Sequence, residues 1–243
     1  MPEPVSLSII LPCYNPAPGW RENILANYLF ILDYVENTEL IIVNDGSTKN
    51  FEPESVKQFF SSHAGIKIIS YEKNRGKGFA LRTGVTESSG NLIIYTDIDF
   101  PYTKESLRSV YRALNEEQFN VVAGKRSEEY YKHLPPSRVR ISKFLRFLIR
   151  SFLRIPTDDT QCGLKGFDQA GKKVFLQTSI DRFLFDLEFI FLSARAGLSI
   201  KPLNVELREG FELSSMPWKI LLQESGNFAR IFVRGIFGTK KNS

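Results

Sequence analysis

Cysteine is scarce in this sequence, with only Cys13 and Cys162 among 243 residues. The two lie far apart and have no metal-ligand spacing, so the sequence does not predict a cysteine-based metal site or a disulfide-rich scaffold. Two scattered cysteines are typical of a reducing compartment, and a single bridge between them stays open as the alternative. Because 42% of the residues are hydrophobic, a chain of this length can bury a substantial core without cross-links.

Long apolar runs, internal repeats and obvious linkers are missing as well. No run approaches the roughly 18 apolar residues that a membrane-spanning helix needs. The opening residues Met1 to Pro4 lack the basic segment and apolar stretch of a signal peptide. We therefore expect one domain over residues 1–243, located in the cytoplasm and either soluble or peripheral at the cytoplasmic face of a membrane.

The net charge of +5 is distributed unevenly. Bulky apolar residues alternate with basic ones along residues 138–154, and residues 218–237 repeat this character. The basic residues of the first segment are Arg138, Arg140, Lys143, Arg146, Arg150 and Arg154. A basic amphipathic helix favours contact with an anionic membrane surface, and a core helix with a solvated polar face is the alternative. We expect no nucleic-acid partner.

The first half of the chain alternates between short apolar runs and segments with helical patterning. The predicted strands are Leu7–Leu11, Leu40–Val43, Ile66–Ser70, Leu92–Tyr95 and Asn120–Ala123, and the predicted helices cover about residues 20–35, 53–62, 77–88 and 104–116. Nearly continuous apolar strands are typical of sheets covered on both faces. The order predicts an α/β fold with a doubly wound, mostly parallel sheet and helices on both faces. The second half is less regular, with helices predicted at 137–153 and near 184–196, a turn-rich stretch at 156–168 and a terminal amphipathic segment at 217–236.

Three of the predicted strands run directly into polar clusters. The clusters are Pro12-Cys13-Tyr14-Asn15, Asn44-Asp45-Gly46-Ser47 and Thr96-Asp97-Ile98-Asp99. Each one alone is ordinary turn chemistry. Ligands of open α/β sheets, however, bind beyond the carboxyl ends of the strands. Three clusters on one edge of one sheet therefore predict a ligand site there.

Asp97 and Asp99 are separated by one residue just after an apolar strand. In extended backbone, residues i and i+2 point the same way, so both carboxylates can face one point. Two such carboxylates repel each other unless a cation lies between them. Hard divalent ions accept oxygen ligands from carboxylates and from substrate phosphates. A solvated acidic turn is the common alternative, but in this position the pair predicts a divalent metal site.

A basic, glycine-containing stretch follows the third predicted strand and includes Lys73, Arg75, Gly76 and Lys77. Positive charge and backbone freedom at a helix start suit a diphosphate. The carboxylate of Asp45 only accepts hydrogen bonds, so it suits a base or a ribose hydroxyl instead. A dinucleotide fingerprint is excluded because Leu81 stands where its third small residue belongs, and a Walker A motif is absent.

These motifs occur in the order seen in family 2 glycosyltransferases of the GT-A fold, which the chain resembles over about residues 5–216. The donor-side motifs are Pro12–Asn15, Val43–Ser47, Asn74–Gly78 and Asp97–Asp99. Three more, Gly124–Arg126, Asp159–Phe167 and Phe185–Glu188, resemble the dolichyl-phosphate glucosyl- and mannosyltransferase branch. The resemblance implies an inverting enzyme that moves a hexose from a UDP- or GDP-sugar to a polyprenyl or dolichyl phosphate.

The resemblance also implies roles for individual residues. The nucleotide-sugar would be bound by Pro12, Tyr14, Asn15, Asp45, Gly46, Lys73, Arg75, Gly76, Lys77, Asp97 and Ile98. Asp97 and Asp99 would hold Mg²⁺ or Mn²⁺. The catalytic set would be Asp97, Asp99, Arg126 (on phosphate), Asp186 and Glu188, and the acceptor side would contain Gln161, Cys162, Gly163 and Arg208. Residues of about 1–125 would then bind the donor, and about 126–243 would shape the acceptor site.

Three positions depart from the family pattern. Pro16 replaces an acidic residue, Pro101 stands where relatives often place a polar one, and Ser215 replaces the usual acceptor-phosphate lysine. The first two concern the ribose and metal contacts, and the third concerns the acceptor.

The acceptor decides the mechanism. A phosphate monoester has a second pKa of about 6 and is largely anionic at neutral pH, so it needs no base. A sugar hydroxyl, as in polysaccharide synthesis, needs one, and Asp186 or Glu188 would be the candidate. A non-catalytic nucleotide-sugar or membrane-binding module stays open as well. A nucleotidyltransferase is disfavoured because its glycine-rich loop is absent after Leu11.

Overall fold

The structure is a computed structural model that describes residues 6–126, 155–157, 159–182, 184–211, 226 and 231. The strands in these residues are β1 (Leu7–Cys13), β2 (Thr38–Asp45), β3 (Ile66–Tyr71), β4 (Leu92–Tyr95), β5 (Val121–Arg126), β6 (Lys165–Phe167) and β7 (Ile200–Val205). The helices are α1 (Trp20–Leu32), α2 (Pro53–Phe60), α3 (Lys77–Glu87), α4 (Lys104–Asn115), α5 (Gln169–Phe175) and α6 (Phe185–Arg195). The helix predicted at 137–153 lies outside the described residues, as does most of the amphipathic segment at 217–236.

All seven strands join one sheet in the order β3-β2-β1-β4-β6-β5-β7. Neighbouring strands are parallel except at β6, which runs antiparallel to β4 and to β5. The strand β6 therefore begins at the edge where the other six strands end. The prediction of a mostly parallel sheet is confirmed.

Helices cover both faces of the sheet because successive strand residues are apolar on both sides. Ile9 and Leu40 pack in one core cluster with residues of α1, α2 and α4. Their neighbours Ile10 and Ile41 point to the opposite face and pack with residues of α3, α5 and α6. This arrangement explains the continuous apolar runs and confirms the predicted doubly wound α/β architecture.

Two strands of the C-terminal part do not stand out in the sequence. The strand β6 has only three residues and lies at the end of the stretch predicted to be turn-rich. The strand β7 contains Lys201, Pro202 and Asn204 and forms one edge of the sheet. Proline in sheets is largely confined to edge strands. Neither strand therefore forms the buried apolar run by which the others were recognised.

Both cysteines of the chain are buried and free, so the bridge that the sequence left open is not formed. Burial raises the pKa of the Cys13 thiol to about 12, although a hydrogen bond with Ser47 opposes the effect. A thiol with so high a pKa is a poor nucleophile at neutral pH. Cys13 therefore serves the core rather than any covalent chemistry.

Glu39 on β2 is buried near the edge of the sheet opposite the strand ends. It accepts hydrogen bonds from the Ser8 hydroxyl at 2.6 Å and the Ser89 amide at 2.6 Å, and it pairs with Lys67. Burial alone would raise the pKa of this carboxyl. The donors, Lys67 first among them, outweigh burial and lower the pKa to about 2.

We expect Glu39→Gln to lower the free energy of unfolding at pH 7 by about 1.5–3 kcal/mol, because charge-assisted hydrogen bonds are lost. A depressed carboxyl pKa stabilises the fold above the ordinary value of 4.5, and this stabilisation disappears as the pH falls towards 2. Urea unfolding at pH 7 and at pH 3 should therefore show a smaller difference from wild type in acid. Glu54→Gln, in an exposed pair with Lys57, is the control and should change little. Equal effects of the two substitutions would contradict the prediction.

Candidate active site

The sheet topology brings the polar loops to one edge. The strands β1, β2, β3, β4, β5 and β7 end at this edge, and β6 begins there. Both the predicted donor motifs and the loop at 159–164 therefore border the same space. The loop at 159–164 lies at this edge because β6 is antiparallel to β4 and β5, a direction that the sequence does not reveal.

Asp97 and Asp99 follow β4 and differ in their surroundings. The side chain of Asp97 is 36% exposed and accepts a hydrogen bond from Lys77 Nζ. Asp99 Oδ1 is buried and has no hydrogen-bond partner in the part of the chain that the structure describes. Burial, and after it the charge of Asp97, raises the pKa of Asp99. A buried oxygen without a hydrogen-bond donor costs free energy, and a cation bound at Asp99 would remove this cost.

Asp97 and Asp99 fit a hard divalent ion whose other coordinating atoms come from a bound phosphate and from water. Two carboxylates after one strand provide oxygen ligands, and the partnerless Asp99 Oδ1 is an atom that a cation would satisfy. Among residues 6–126, 155–157, 159–182 and 184–211, no group of three or more His, Cys, Asp or Glu side chains could hold a metal. The remaining ligands would come from phosphate and water, as is usual for Mg²⁺.

Gly163 brings the loop before β6 against Asp97. A Cβ atom at this position would lie far inside contact distance of Asp97 Oδ2, so a larger residue does not fit without a shift. The amide of Gly163 donates to the Tyr102 hydroxyl at 2.9 Å, and the Cys162 thiol donates to the same oxygen at 3.3 Å. Of the predicted acceptor-side residues in this loop, Gly163 thus borders Asp97, Cys162 is buried behind it against Tyr102, and Gln161 is partly exposed. Tyr102, which holds this loop, carried no signal in the sequence.

A buried charge pair joins this loop to α6. The Lys165 ammonium is fully buried and donates to Asp186 Oδ1 at 2.7 Å and to the carbonyl of Cys162. The Tyr95 hydroxyl donates to the same oxygen of Asp186, whose side chain is only 5% exposed. Asp186 was predicted to be catalytic from the family resemblance. In the structure Asp186 is enclosed and ties β4, β6 and α6 together, and its catalytic role stays a prediction.

Glu188, the second predicted catalytic carboxylate of α6, holds a loop. It is buried and accepts hydrogen bonds from the amides of Ser179 and Ile180 at 2.8 and 2.9 Å and from the Ser179 hydroxyl at 3.0 Å. The adjacent carbonyl of Asp181 caps the start of α3. These donors already occupy both oxygens of Glu188, which favours a positioning role, and its catalytic role stays a prediction.

Two backbone amides at the start of α3 are already engaged within the protein. The amides of Gly78 and Phe79 donate to the Asp181 carbonyl at 2.7 and 3.2 Å, so neither is available to an anion. The positive charge of Lys77 is directed at the site instead. Burial works against this charge, but Asp97 and then Asp186 outweigh it, so the pKa of Lys77 is raised.

Asp45 at the end of β2 is buried and organises the basic loop. Its Oδ1 accepts from the amide of Arg75 at 2.7 Å, and its Oδ2 accepts from the amide of Gly76 and the side chain of Asn74, both at 2.9 Å. Gly46 has a φ of 67°, and a Cβ there would lie 2.6 Å from the Asn74 nitrogen. Asp45 thus holds the loop in place, and its contact with a base or a ribose stays a prediction.

The exposed donor-side residues surround this loop. Lys73 and Arg75 are exposed, and the Arg75 guanidinium lies 3.4 Å from the ring centroid of Phe79. Tyr14 is 52% exposed, so its ring is open to stack on a base. Asn15 Oδ1 accepts from the amides of Thr48 at 2.8 Å and Lys49 at 3.0 Å, which ties the loops after β1 and β2 together. Pro12 and Ile98 are partly buried beside these loops.

Arg126 at the end of β5 forms a bidentate pair with Asp159. Its Nε and Nη2 atoms lie 2.9 and 2.7 Å from the two carboxylate oxygens. Burial alone would raise the pKa of Asp159, but Arg126 outweighs it and lowers the pKa. The predicted contact of Arg126 with a phosphate therefore competes with a buried partner.

Arg208, which follows β7, contacts the loop that carries Asp97 and Asp99. Its guanidinium donates to the main-chain carbonyl of Asp99 at 3.1 Å and to Asn23 Oδ1 at 3.0 Å. The Asn23 side chain donates to the same carbonyl at 2.8 Å. Asn23 is a helix residue far from every recognised motif, so no local pattern could have identified it.

Two of the three departures from the family pattern have structural roles through their backbone. The carbonyl of Pro16 accepts from the Asn50 side chain at 2.9 Å, and the carbonyl of Pro101 accepts from the Arg208 amide at 2.9 Å. Proline offers no side-chain ligand, so neither position contributes one to a metal or ribose. Ser215 lies outside the described residues.

Comparison with known proteins shows which family the chain is similar to. The family model described as glycosyl transferase family 2 matches residues 8–175. A dolichyl-phosphate beta-glucosyltransferase of Trichomonas vaginalis is 28% identical over 222 residues, which cover 86% of this chain and 67% of that protein. The dolichyl-phosphate beta-glucosyltransferase of Homo sapiens is 26% identical over 257 residues, covering 96% and 76% of the two chains.

Solved structures share the fold. Glucosyl-3-phosphoglycerate synthase of Mycobacterium tuberculosis, crystallised with UDP, is 17% identical with a TM-score of 0.68, covering 95% of this chain and 80% of that one. Mannosyl-3-phosphoglycerate synthase of Rubrobacter xylanophilus is 15% identical with a TM-score of 0.65, covering 95% and 73%. These likenesses confirm the predicted GT-A fold. The family match spans more than half of the chain and shows that the chain belongs to glycosyl transferase family 2.

Proposed function

We propose that this protein transfers a hexose from a nucleotide-sugar to a polyprenyl phosphate of the dolichyl type, with a divalent ion at Asp97 and Asp99. The observation that carries the proposal is that Asp97 contacts Lys77 through one carboxylate oxygen and lies against Gly163 with the other. Relatives named dolichyl-phosphate beta-glucosyltransferases support the acceptor class. A structural neighbour that was crystallised with Mn²⁺ and UDP-glucose supports the donor class and the metal.

Each part of the donor would meet a different group of residues. The base would stack near the exposed ring of Tyr14, and the loop that Asp45 holds would carry Arg75 towards the nucleotide. Asp97 and Asp99 would hold Mg²⁺ or Mn²⁺, which when bound neutralises charge that develops on the leaving diphosphate. Lys77 adds a second positive charge beside the same group.

The acceptor phosphate supplies the nucleophile. One of its anionic oxygens forms a bond to the anomeric carbon of the sugar. The bond from that carbon to the diphosphate oxygen breaks, and its electron pair leaves with the nucleoside diphosphate. Attack opposite the leaving group inverts the anomeric centre. No proton is removed in this step, because a phosphate monoester with a second pKa of about 6 is already largely ionised at neutral pH.

The enclosure of Asp186 and Glu188 supports an acceptor that needs no base. A sugar hydroxyl would require a carboxylate or another base within hydrogen-bond reach of its proton. Both candidates are buried, and their oxygens accept hydrogen bonds from Lys165, Tyr95, Ser179 and Ile180. These contacts disfavour the alternative in which one of them activates a sugar hydroxyl.

The acceptor class can be tested with purified protein, Mn²⁺ and radiolabelled UDP-glucose or GDP-mannose in separate reactions. Polyprenyl phosphate in detergent should become labelled, and EDTA should abolish the labelling. Soluble sugars offered in place of the lipid should stay unlabelled. Labelled sugar without labelled lipid would refute the lipid acceptor. The absence of both transfer and donor hydrolysis would favour a non-catalytic module.

Contact with a membrane surface remains a prediction from the sequence, because residues 138–154 lie outside the described part of the chain. In the part that is described, no helix is long and apolar enough to cross a bilayer. We expect the triple reversal of Arg146, Arg150 and Arg154 to Glu to abolish sedimentation with anionic liposomes, since each basic residue contributes roughly 1 kcal/mol near such a surface. Binding of UDP with Mn²⁺ should survive.

Wild-type protein should also leave the liposomes at high salt, because salt screens the attraction. A triple reversal of Lys49, Lys57 and Lys104, which are outside the segment, is the matched control. Equal losses of sedimentation in the two triple variants would attribute the contact to net charge rather than to residues 138–154.

A further inference from the structure

The cation beside Asp97 in this structure is a side chain of the protein itself. Lys77 Nζ donates to Asp97 Oδ1, and the Lys77 side chain is 23% exposed. The other oxygen of Asp97 lies against the backbone at Gly163. Lys77 therefore pairs with the oxygen of Asp97 that does not lie against Gly163, while Asp99 Oδ1 stays buried without a hydrogen-bond partner in the described residues.

Lys77 can leave Asp97 without disturbing the helix that carries it. The start of α3 is held independently, because the amide of Gly78 donates to the Asp181 carbonyl at 2.7 Å. The ammonium itself is a compact charge on a flexible four-carbon stem. A rotation of the side chain is therefore enough to move it from a carboxylate to another anion at the same edge.

We propose that Lys77 is an exchangeable counter-ion, paired with Asp97 in the free protein and paired with the donor's diphosphate once metal and donor bind together. The proposal rests on the proposed function, since it takes Asp97 and Asp99 as the metal site. A metal ion alone has to separate the Lys77–Asp97 pair and leaves the ammonium without its carboxylate. When a diphosphate is present, the displaced ammonium gains a new anionic partner. Lys77 thereby couples the two binding events.

The test is a titration of each protein with Mn²⁺, with and without UDP, followed by electron paramagnetic resonance of the free ion. In wild type, UDP should strongly tighten Mn²⁺ binding. In Lys77→Met, Mn²⁺ alone should bind roughly tenfold more tightly than in wild type, and the tightening by UDP should shrink by at least roughly that factor. Lys77→Arg keeps a cation and should resemble wild type.

Lys57→Met is the control for net charge, because Lys57 is an exposed lysine of α2 in a pair with Glu54. It should leave both Mn²⁺ affinities unchanged. Circular dichroism checks that each variant is folded, and Lys77→Gln replaces Lys77→Met if the latter is not.

Three outcomes would overturn either the proposed exchange of Lys77 or the proposed metal site. A folded Lys77→Met or Lys77→Gln variant with unchanged Mn²⁺ affinity in the absence of UDP refutes the exchange. Equal tightening with and without UDP also refutes it, because simple repulsion between Lys77 and the metal would then explain the data. Wild type that binds no Mn²⁺ even with UDP refutes the metal site of the proposed function itself.

Discussion

Asp99→Asn is expected to lower hexose transfer by at least roughly 100-fold, because a metal ion contributes several kcal/mol to stabilising transition-state charge and about 1.4 kcal/mol corresponds to a factor of ten. The same substitution should leave thermal stability unchanged or raise it. Burial and the charge of Asp97 raise the pKa of Asp99, so folding disfavours the ionised form of this carboxyl relative to the unfolded chain. Loss of activity together with retained stability distinguishes a functional carboxylate from a structural one.

Asp97→Asn should lose the same metal-dependent activity. The measurements are calorimetry of UDP binding with and without Mn²⁺, and a thermal unfolding curve for each variant. Asp33→Asn, at the exposed C-terminal end of α1, is the matched control for loss of one negative charge. Unchanged metal-dependent UDP affinity in both Asp97→Asn and Asp99→Asn would refute the assignment of this pair.

Lys165→Met is expected to produce the largest loss of stability. Removing the ammonium leaves the Asp186 carboxylate buried without its cation, and breaking a buried pair from one side costs about 3–5 kcal/mol. For a domain of this size that loss corresponds to a fall in melting temperature of roughly 10 °C. Thermal and urea unfolding measure the effect. Lys57→Met, which removes one partner of an exposed pair, should change little.

The double variant Lys165→Met/Asp186→Asn decides whether the loss comes from this pair. Removing both charges takes away the uncompensated carboxylate, so much of the lost stability should return. A double variant no more stable than Lys165→Met alone would show that Lys165 acts through packing or through the Cys162 carbonyl instead.

Much of the fold could be predicted because the relevant signals are local. Strands such as Leu7–Cys13 and Thr38–Asp45 are buried on both faces, and this requires the continuous apolar runs that the sequence shows. The strand β6 has three residues and β7 lies at an edge, so neither needs such a run. The direction of β6, which turns the loop at 159–164 towards the metal site, depends on pairing with β4 and β5 and is invisible locally.

The sequence by itself determined the α/β architecture, the family resemblance and the spacing of Asp97 and Asp99, because each of these is written in neighbouring residues. Only the tertiary structure decided what each carboxylate does. The hydrogen-bond donors to Asp45 are 29 to 31 positions away in the sequence. Those to Asp186 are 21 and 91 positions away. A carboxylate that faces an open site and one that binds a buried lysine look alike in a sequence. The difference arises from burial and from the donors that folding brings to each carboxylate. Asp99 Oδ1 has no partner in the described residues, whereas Asp186 is paired with Lys165.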